Sequence, residues 1–87
     1  MSKRIAKLRE PKDMVLNVFC WSDLTRKILS RWCRDTNHIF IGTTIADLSC
    51  CSNPVSIGSV TGCRPSALAE IRNTVNHYVP DNTNWKE

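Results

Sequence analysis

The sequence predicts a small α+β domain in the order β-α-β-β-α, with two helices packed on one face of a small sheet. Three observations predict it. Two segments have helical apolar spacing, three short runs are rich in β-branched or aromatic residues, and 87 residues suit one modest core. Helices covering one face of a sheet are a common two-layer arrangement for such elements.

The first twelve residues, MSKRIAKLREPK, are predicted to form a flexible basic arm. They carry five cations and one acid, so their net charge is 5 − 1 = +4, which equals that of the whole chain. Residues 13–87 hold seven cations and seven acids and are neutral. A basic arm favours nucleic acid or anionic lipid as a partner. The alternative is a solvated terminus without a partner.

The run MVLNVFCW, residues 14–21, is predicted to be the first strand because it is compact and rich in Val, Phe and Trp. One long helix over residues 14–34 is the alternative. Ser22 and Asp23 favour the strand, because they are typical of a new helix N-terminus.

The first predicted helix is SDLTRKILSRWCRD, and Asn37 is its predicted stop. Its apolar residues share one face and its cations occupy the rest. The apolar set is Leu24, Ile28, Leu29 and Trp32; the cations are Arg26, Lys27, Arg31 and Arg34.

Two further strands are predicted at residues 38–45, HIFIGTTI, and 54–60, PVSIGSV. The intervening ADLSCC reads equally as a helical turn or a strand end. The second helix covers Ser66 to Val79, bracketed by Pro65 and Pro80. The predicted organisation is therefore an arm at 1–12, one α+β domain at 13–80 and a loose polar tail at 81–87.

Five cysteines without a Cys-x2-Cys pair do not predict a zinc site or a disulfide scaffold. Cys20, Cys33 and one of the adjacent Cys50 and Cys51 are expected to be small buried apolar side chains. Cys63 precedes a helix and adjoins Arg64, which predicts a lowered thiol pKa and a reactive thiol.

The segment around Gly62, Arg64 and Ser66 is a candidate anion site, because open amides of Ser66 to Leu68 and the Arg64 guanidinium would face the ligand. The alternative is an ordinary helix entry capped by a serine.

No catalytic acid–base pair, triad or nucleophile elbow is visible, so we expect a protein that is not an enzyme and holds no metal or cofactor. The leading hypothesis is a nucleic-acid-binding regulatory protein, for DNA or RNA. Its predicted contacts are the arm residues Lys3, Arg4, Lys7, Arg9 and Lys12 and the helix residues Arg26, Lys27, Arg31 and Arg34. For the helix residues, the alternative is a solvated polar face.

The second hypothesis is a protein-binding inhibitor or adaptor with an aromatic-anchored interface. Its candidate anchors are Tyr78 and Trp85, the latter expected to be exposed in the loose tail. No signal peptide or membrane span is predicted, and free thiols in odd number favour a reducing compartment, the cytoplasm or nucleus.

Overall fold

A computed structural model describes residues 13–86, and every regular element in this part of the chain is helical. A short 3-10 helix, Leu16–Val18, is followed by α1 (Asp23–Asp35), α2 (Ile45–Cys51), α3 (Pro54–Gly58) and α4 (Pro65–Tyr78). The predicted α+β class is therefore wrong. None of the helices in residues 13–86 combines the length and apolar character that crossing a bilayer requires.

The α1 helix confirms its prediction at both ends. The Ser22 hydroxyl accepts the Thr25 amide at 3.4 Å and caps the N-terminus. At the other end Asn37 adopts a left-handed conformation with φ 61°. The amides of Asn37 and His38 then bond the carbonyls of Arg34 and Cys33, which is the Schellman pattern.

The two segments predicted as the first and second strands pair at a single antiparallel bridge and do not form a longer ladder. Val15 pairs with Thr44, and the flanking bonds join Leu16 N–H to Thr43 C=O and Ile45 N–H to Met14 C=O. The first segment then turns into the 3-10 helix, which leaves the ladder without residues to extend it. The second segment folds into a turn, in which the Gly42 amide bonds the Ile39 carbonyl at 2.9 Å.

The segment predicted as the third strand is α3. Asn53 and Ser56 bond each other's backbone amides in a capping box, and Pro54 occupies the first helical turn, where its missing N–H costs nothing. The alternation of Val55 and Ile57 had suggested a strand. Ile57 is fully buried, however, while Val55 is 80% exposed, so the two residues do not share a sheet face.

Helix α4 confirms the second predicted helix and packs against each of α1, α2 and α3. Its inward residues Ala67, Ile71 and Val75 are at most 1% exposed. The core around them contains the following buried residues: Leu16, Trp21, Ile28, Leu29, Trp32, Ile45, Leu48, Ile57, Val60, Val79 and Trp85.

Residues 81–86 are tied to this core, which corrects the expectation of a loose tail. Trp85 is 0% exposed. Its amide bonds Asn82 Oδ1 at 2.8 Å, its carbonyl accepts Asn76 Nδ2 at 3.0 Å, and its indole N–H donates to Ser52 Oγ at 3.2 Å. Asn84 Nδ2 reaches the carbonyl of Ser49 at 3.0 Å. The tail thus closes the helical core against α2 and α4.

Candidate nucleic-acid interface

Helix α1 presents all four of its cations to solvent. Lys27, Arg31 and Arg34 follow one another at spacings of four and three residues, which places them along one side of the helix. Arg26 is also exposed, beside Lys27. Trp32 is 3% exposed and stacks on the His38 ring at a centroid distance of 4.8 Å, so it belongs to the core.

The predicted cations of the arm, Lys3, Arg4, Lys7, Arg9 and Lys12, lie outside the described residues. Their positive charges are known from the sequence, and they add to the positive charge of the exposed residues on α1 and α4.

Helix α4 carries a second exposed stripe, of which the sequence analysis named only Ser66. Ser66, Ala69 and Asn73 are exposed and recur every three or four residues on one side of the helix, and His77 follows them. Arg72 lies beside Asn73. The spacing of the buried residues of this helix already indicated such a stripe, because the remaining positions necessarily face away from the core.

Glu70 is the single acid between residues 64 and 80, and its carboxylate is engaged with α1. Oε2 accepts the Ser22 amide at 2.9 Å. Oε1 accepts the hydroxyls of Ser22 at 2.8 Å and Thr25 at 2.7 Å. Desolvation acts to raise the pKa of Glu70, but the hydrogen bonds from Thr25 and Ser22 outweigh it, so the pKa is lowered. The only carboxylate of α4 therefore remains ionised but is held by donors of α1, and the exposed stripe itself contains no acid.

Two glycines shape the connection between α3 and α4. A Cβ placed on Gly58 would lie 3.5 Å from Leu68 Cδ1, so the end of α3 closely approaches the first turns of α4. Gly62 has φ +86°, a left-handed conformation that glycine adopts without the steric penalty of a side chain. This conformation lets the chain turn between α3 and α4 within a few residues.

The candidate anion site at Gly62, Arg64 and Ser66 differs from its prediction. Arg64 is the N-cap residue of α4 and makes no side-chain capping bond. The amides of Ala67 and Leu68 donate to the Arg64 carbonyl at 3.0 and 3.2 Å. These two amides are therefore already paired within the first turn, so the expected row of open amides from Ser66 to Leu68 does not form at this end of α4. Arg64 itself is exposed.

The cysteines also depart from expectation, except for Cys33, which is buried as predicted. Cys20, Cys50 and Cys51 are exposed. Partial burial raises the pKa of the Cys63 thiol, and a backbone hydrogen bond with Arg64 offsets only part of this, so the predicted lowering is corrected. Within residues 13–86 no three candidate metal ligands lie together.

The two candidate anchors of a protein interface are differently placed. Trp85 is fully buried and presents no side-chain surface to a partner. Tyr78 is half-buried, with its ring packed edge-on against Phe19 at a centroid distance of 5.1 Å. Both aromatics therefore contribute to the core or its margin.

The chain matches no protein-family model, no curated protein and no solved structure. The class of protein that the fold and the surface define is a small helical protein with exposed cations on two of its helices.

Proposed function

We propose that this is a non-enzymatic regulatory protein that binds nucleic acid through exposed cations. The observation that carries the proposal is the placement of positive charge. Six of the seven Lys and Arg residues within 13–86 lie on α1 or at α4, and all six are exposed. They are Arg26, Lys27, Arg31, Arg34, Arg64 and Arg72.

Phosphate contacts made by such residues release counterions, so binding weakens as salt concentration rises. The five cations of the N-terminal twelve residues add to the same attraction. If six to nine of these cations contact phosphates, the logarithm of the affinity falls against the logarithm of salt with a slope of about −5 to −8.

The test measures fluorescence anisotropy of a labelled 20-base-pair duplex and a labelled single-stranded RNA between 50 and 300 mM salt. A variant with Lys27→Gln, Arg31→Gln and Arg34→Gln should reduce the magnitude of the slope by about 2.7, because each phosphate contact contributes about 0.9. Lys86→Gln is the matched control, since Lys86 is an exposed cation outside α1 and α4. Lack of binding at 50 mM salt, or a flat salt dependence, would refute the proposal.

The protein-binding alternative keeps only Tyr78 of its two candidate anchors, because Trp85 is buried. As part of the proposal we place the protein in the cytoplasm or nucleus. All five thiols are free in the structure, which suits a reducing compartment.

A further inference from the structure

We infer that α3, its connection and α4 form a helix-turn-helix unit whose second helix, α4, enters the major groove of duplex DNA and reads base edges. The inference deepens the proposed function and rests on it. It names duplex DNA as the nucleic acid and α4 as the reading element.

The connection, residues 59–64, shares with this motif a short turn and a turn glycine. The amides of Ser59 and Val60 bond the carbonyls of Val55 and Ile57 at 3.1 and 3.0 Å, so helical turning continues from α3 to Val60. The non-helical part is then residues 61–64, which is the turn length of three to four residues, often with a glycine, found in helix-turn-helix motifs. Gly62 supplies that glycine in its left-handed conformation.

Packing fixes the second helix against the first. A Cβ on Gly58 would lie 3.5 Å from Leu68 Cδ1, so the two helices are neighbours here, and Ile57 and Ile71 are both 0% exposed in the shared core. Helix α4 is further held by α1 through the three hydrogen-bonding groups that reach Glu70. Contacts on the inward side of α4 therefore hold the helix in place, while its outward side is exposed to solvent.

The outward side has the chemistry of a base-reading surface. Arginine pairs with guanine, asparagine with adenine, and an alanine methyl packs against the thymine methyl group. Asn73 and Ala69 present two of these groups within the exposed stripe, and Arg72 presents the third on the exposed surface beside it. Ser66 and Asn73 are seven residues apart, about 10 Å at 1.5 Å per residue, which spans about three base pairs.

Charge favours DNA over an apolar or basic partner on this surface. Arg64 and Arg72 are exposed, and the only acid between residues 64 and 80 is bonded to Ser22 and Thr25. The two arginines flank the stripe, and with the charge of Glu70 the net charge between residues 64 and 80 is 2 − 1 = +1. Glu70 is bonded to α1, so Arg64 and Arg72 are the charged groups that can face the phosphates lining a groove. A-form RNA does not admit a helix into its narrow major groove, so the same surface selects duplex DNA.

The test selects binding sites for the full chain from a pool of duplexes randomised over 20 base pairs. Affinities are then measured for the enriched duplex and for a scrambled one. Asn73→Ala should weaken binding to the enriched duplex by about 10- to 100-fold, since that is the discrimination carried by one bidentate base contact. It should leave the scrambled duplex within twofold, because asparagine contributes no charge. Asn17→Ala is the matched control, an exposed asparagine on the 3-10 helix.

Arg72→Ala provides a second, independent variant. It should weaken the enriched duplex more than the scrambled one, and should relax the preference for guanine at one position of the site. Circular dichroism of each variant checks that the helices remain folded.

The outcomes separate this inference from the proposed function. Binding to duplexes without any enriched sequence, tighter binding to single-stranded RNA, or an Asn73→Ala variant with unchanged selectivity would overturn the reading role of α4 while leaving nucleic-acid binding in place. Absence of binding to every nucleic acid at 50 mM salt would overturn both.

Discussion

Replacing Trp85 with alanine should remove a large share of the protein's stability, although Trp85 stands only two residues from the C-terminal end of the sequence. The side chain is 0% exposed and its indole N–H donates to Ser52 Oγ. A buried tryptophan removes about 200 Å² from water, worth about 5 kcal/mol at 25 cal/mol per Å². A compact denatured state reduces this figure to about 3 kcal/mol, and the lost hydrogen bond adds about 1 kcal/mol.

The expected loss for Trp85→Ala is therefore about 4 kcal/mol, which agrees with the range of about 3–5 kcal/mol for such truncations. The total stability expected for a chain of this size is about 4–13 kcal/mol. The variant should then retain between about 0 and 9 kcal/mol of that stability at 25 °C. Trp85→Phe keeps an aromatic ring but loses the indole N–H and some volume, so we expect an intermediate loss of about 1–2 kcal/mol.

The measurement is urea unfolding followed by far-ultraviolet circular dichroism, with Lys86→Ala as the control at the neighbouring exposed position. A Trp85→Ala variant whose free energy of unfolding lies within 1 kcal/mol of the unmodified chain would refute the reasoning. It would show that residues 81–86 are not part of the core.

Three further substitutions test other contacts by the same unfolding assay. Gly58→Ala should stabilise the protein by about 0.5–1 kcal/mol, because the added methyl group reaches only ordinary contact distance and alanine favours the helix. Gly62→Ala should instead destabilise it by about 1–2 kcal/mol, because the positive φ strains an L-residue; equal effects of the two would contradict the turn geometry. Glu70→Gln should cost about 1–2 kcal/mol at pH 7, since it removes the charge that accepts three hydrogen bonds. Folding lowers the pKa of Glu70, so the stability that its carboxylate contributes is complete above the unfolded pKa of about 4.3. This stability disappears as pH falls through the lowered pKa of the folded state. If Glu70→Gln still had the same cost at pH 2, the stabilising role of the Glu70 charge would be refuted.

Local signals at helix ends were sufficient to predict α1 and α4. Ser22 and Asn37 bracket α1 with side-chain and left-handed caps, and these depend on residues close in sequence. Pro65 likewise marks the start of α4. These caps can be predicted from the sequence because each one bonds backbone groups only a few residues away, so no distant contact is needed.

The β-strand predictions failed because strand propensity is expressed only when a partner strand is available. Val15 finds Thr44 and no third strand follows in the described chain. At residues 54–60 the apolar alternation suggests a strand, but the capping box of Asn53 and Ser56 stabilises a helix instead.

The candidate interface was predictable only in part. The exposed cations of α1 follow from its helical periodicity. The α4 stripe follows from the spacing of the buried residues of that helix. The contact between α3 and α4 is less evident from the sequence, because it depends on Gly58, Gly62 and Leu68 taken together. The burial of Trp85 depends on bonds to Ser52 and other distant residues, which no local pattern reveals.

The most direct test of the account is an NMR titration of the uniformly ¹⁵N-labelled full chain with the duplex enriched in the selection experiment. We predict that, among residues 13–86, the largest amide shift changes fall between Arg64 and His77, with smaller ones on the cationic side of α1. Changes that leave residues 64–77 unaffected while the duplex is bound would contradict the claim that α4 reads DNA.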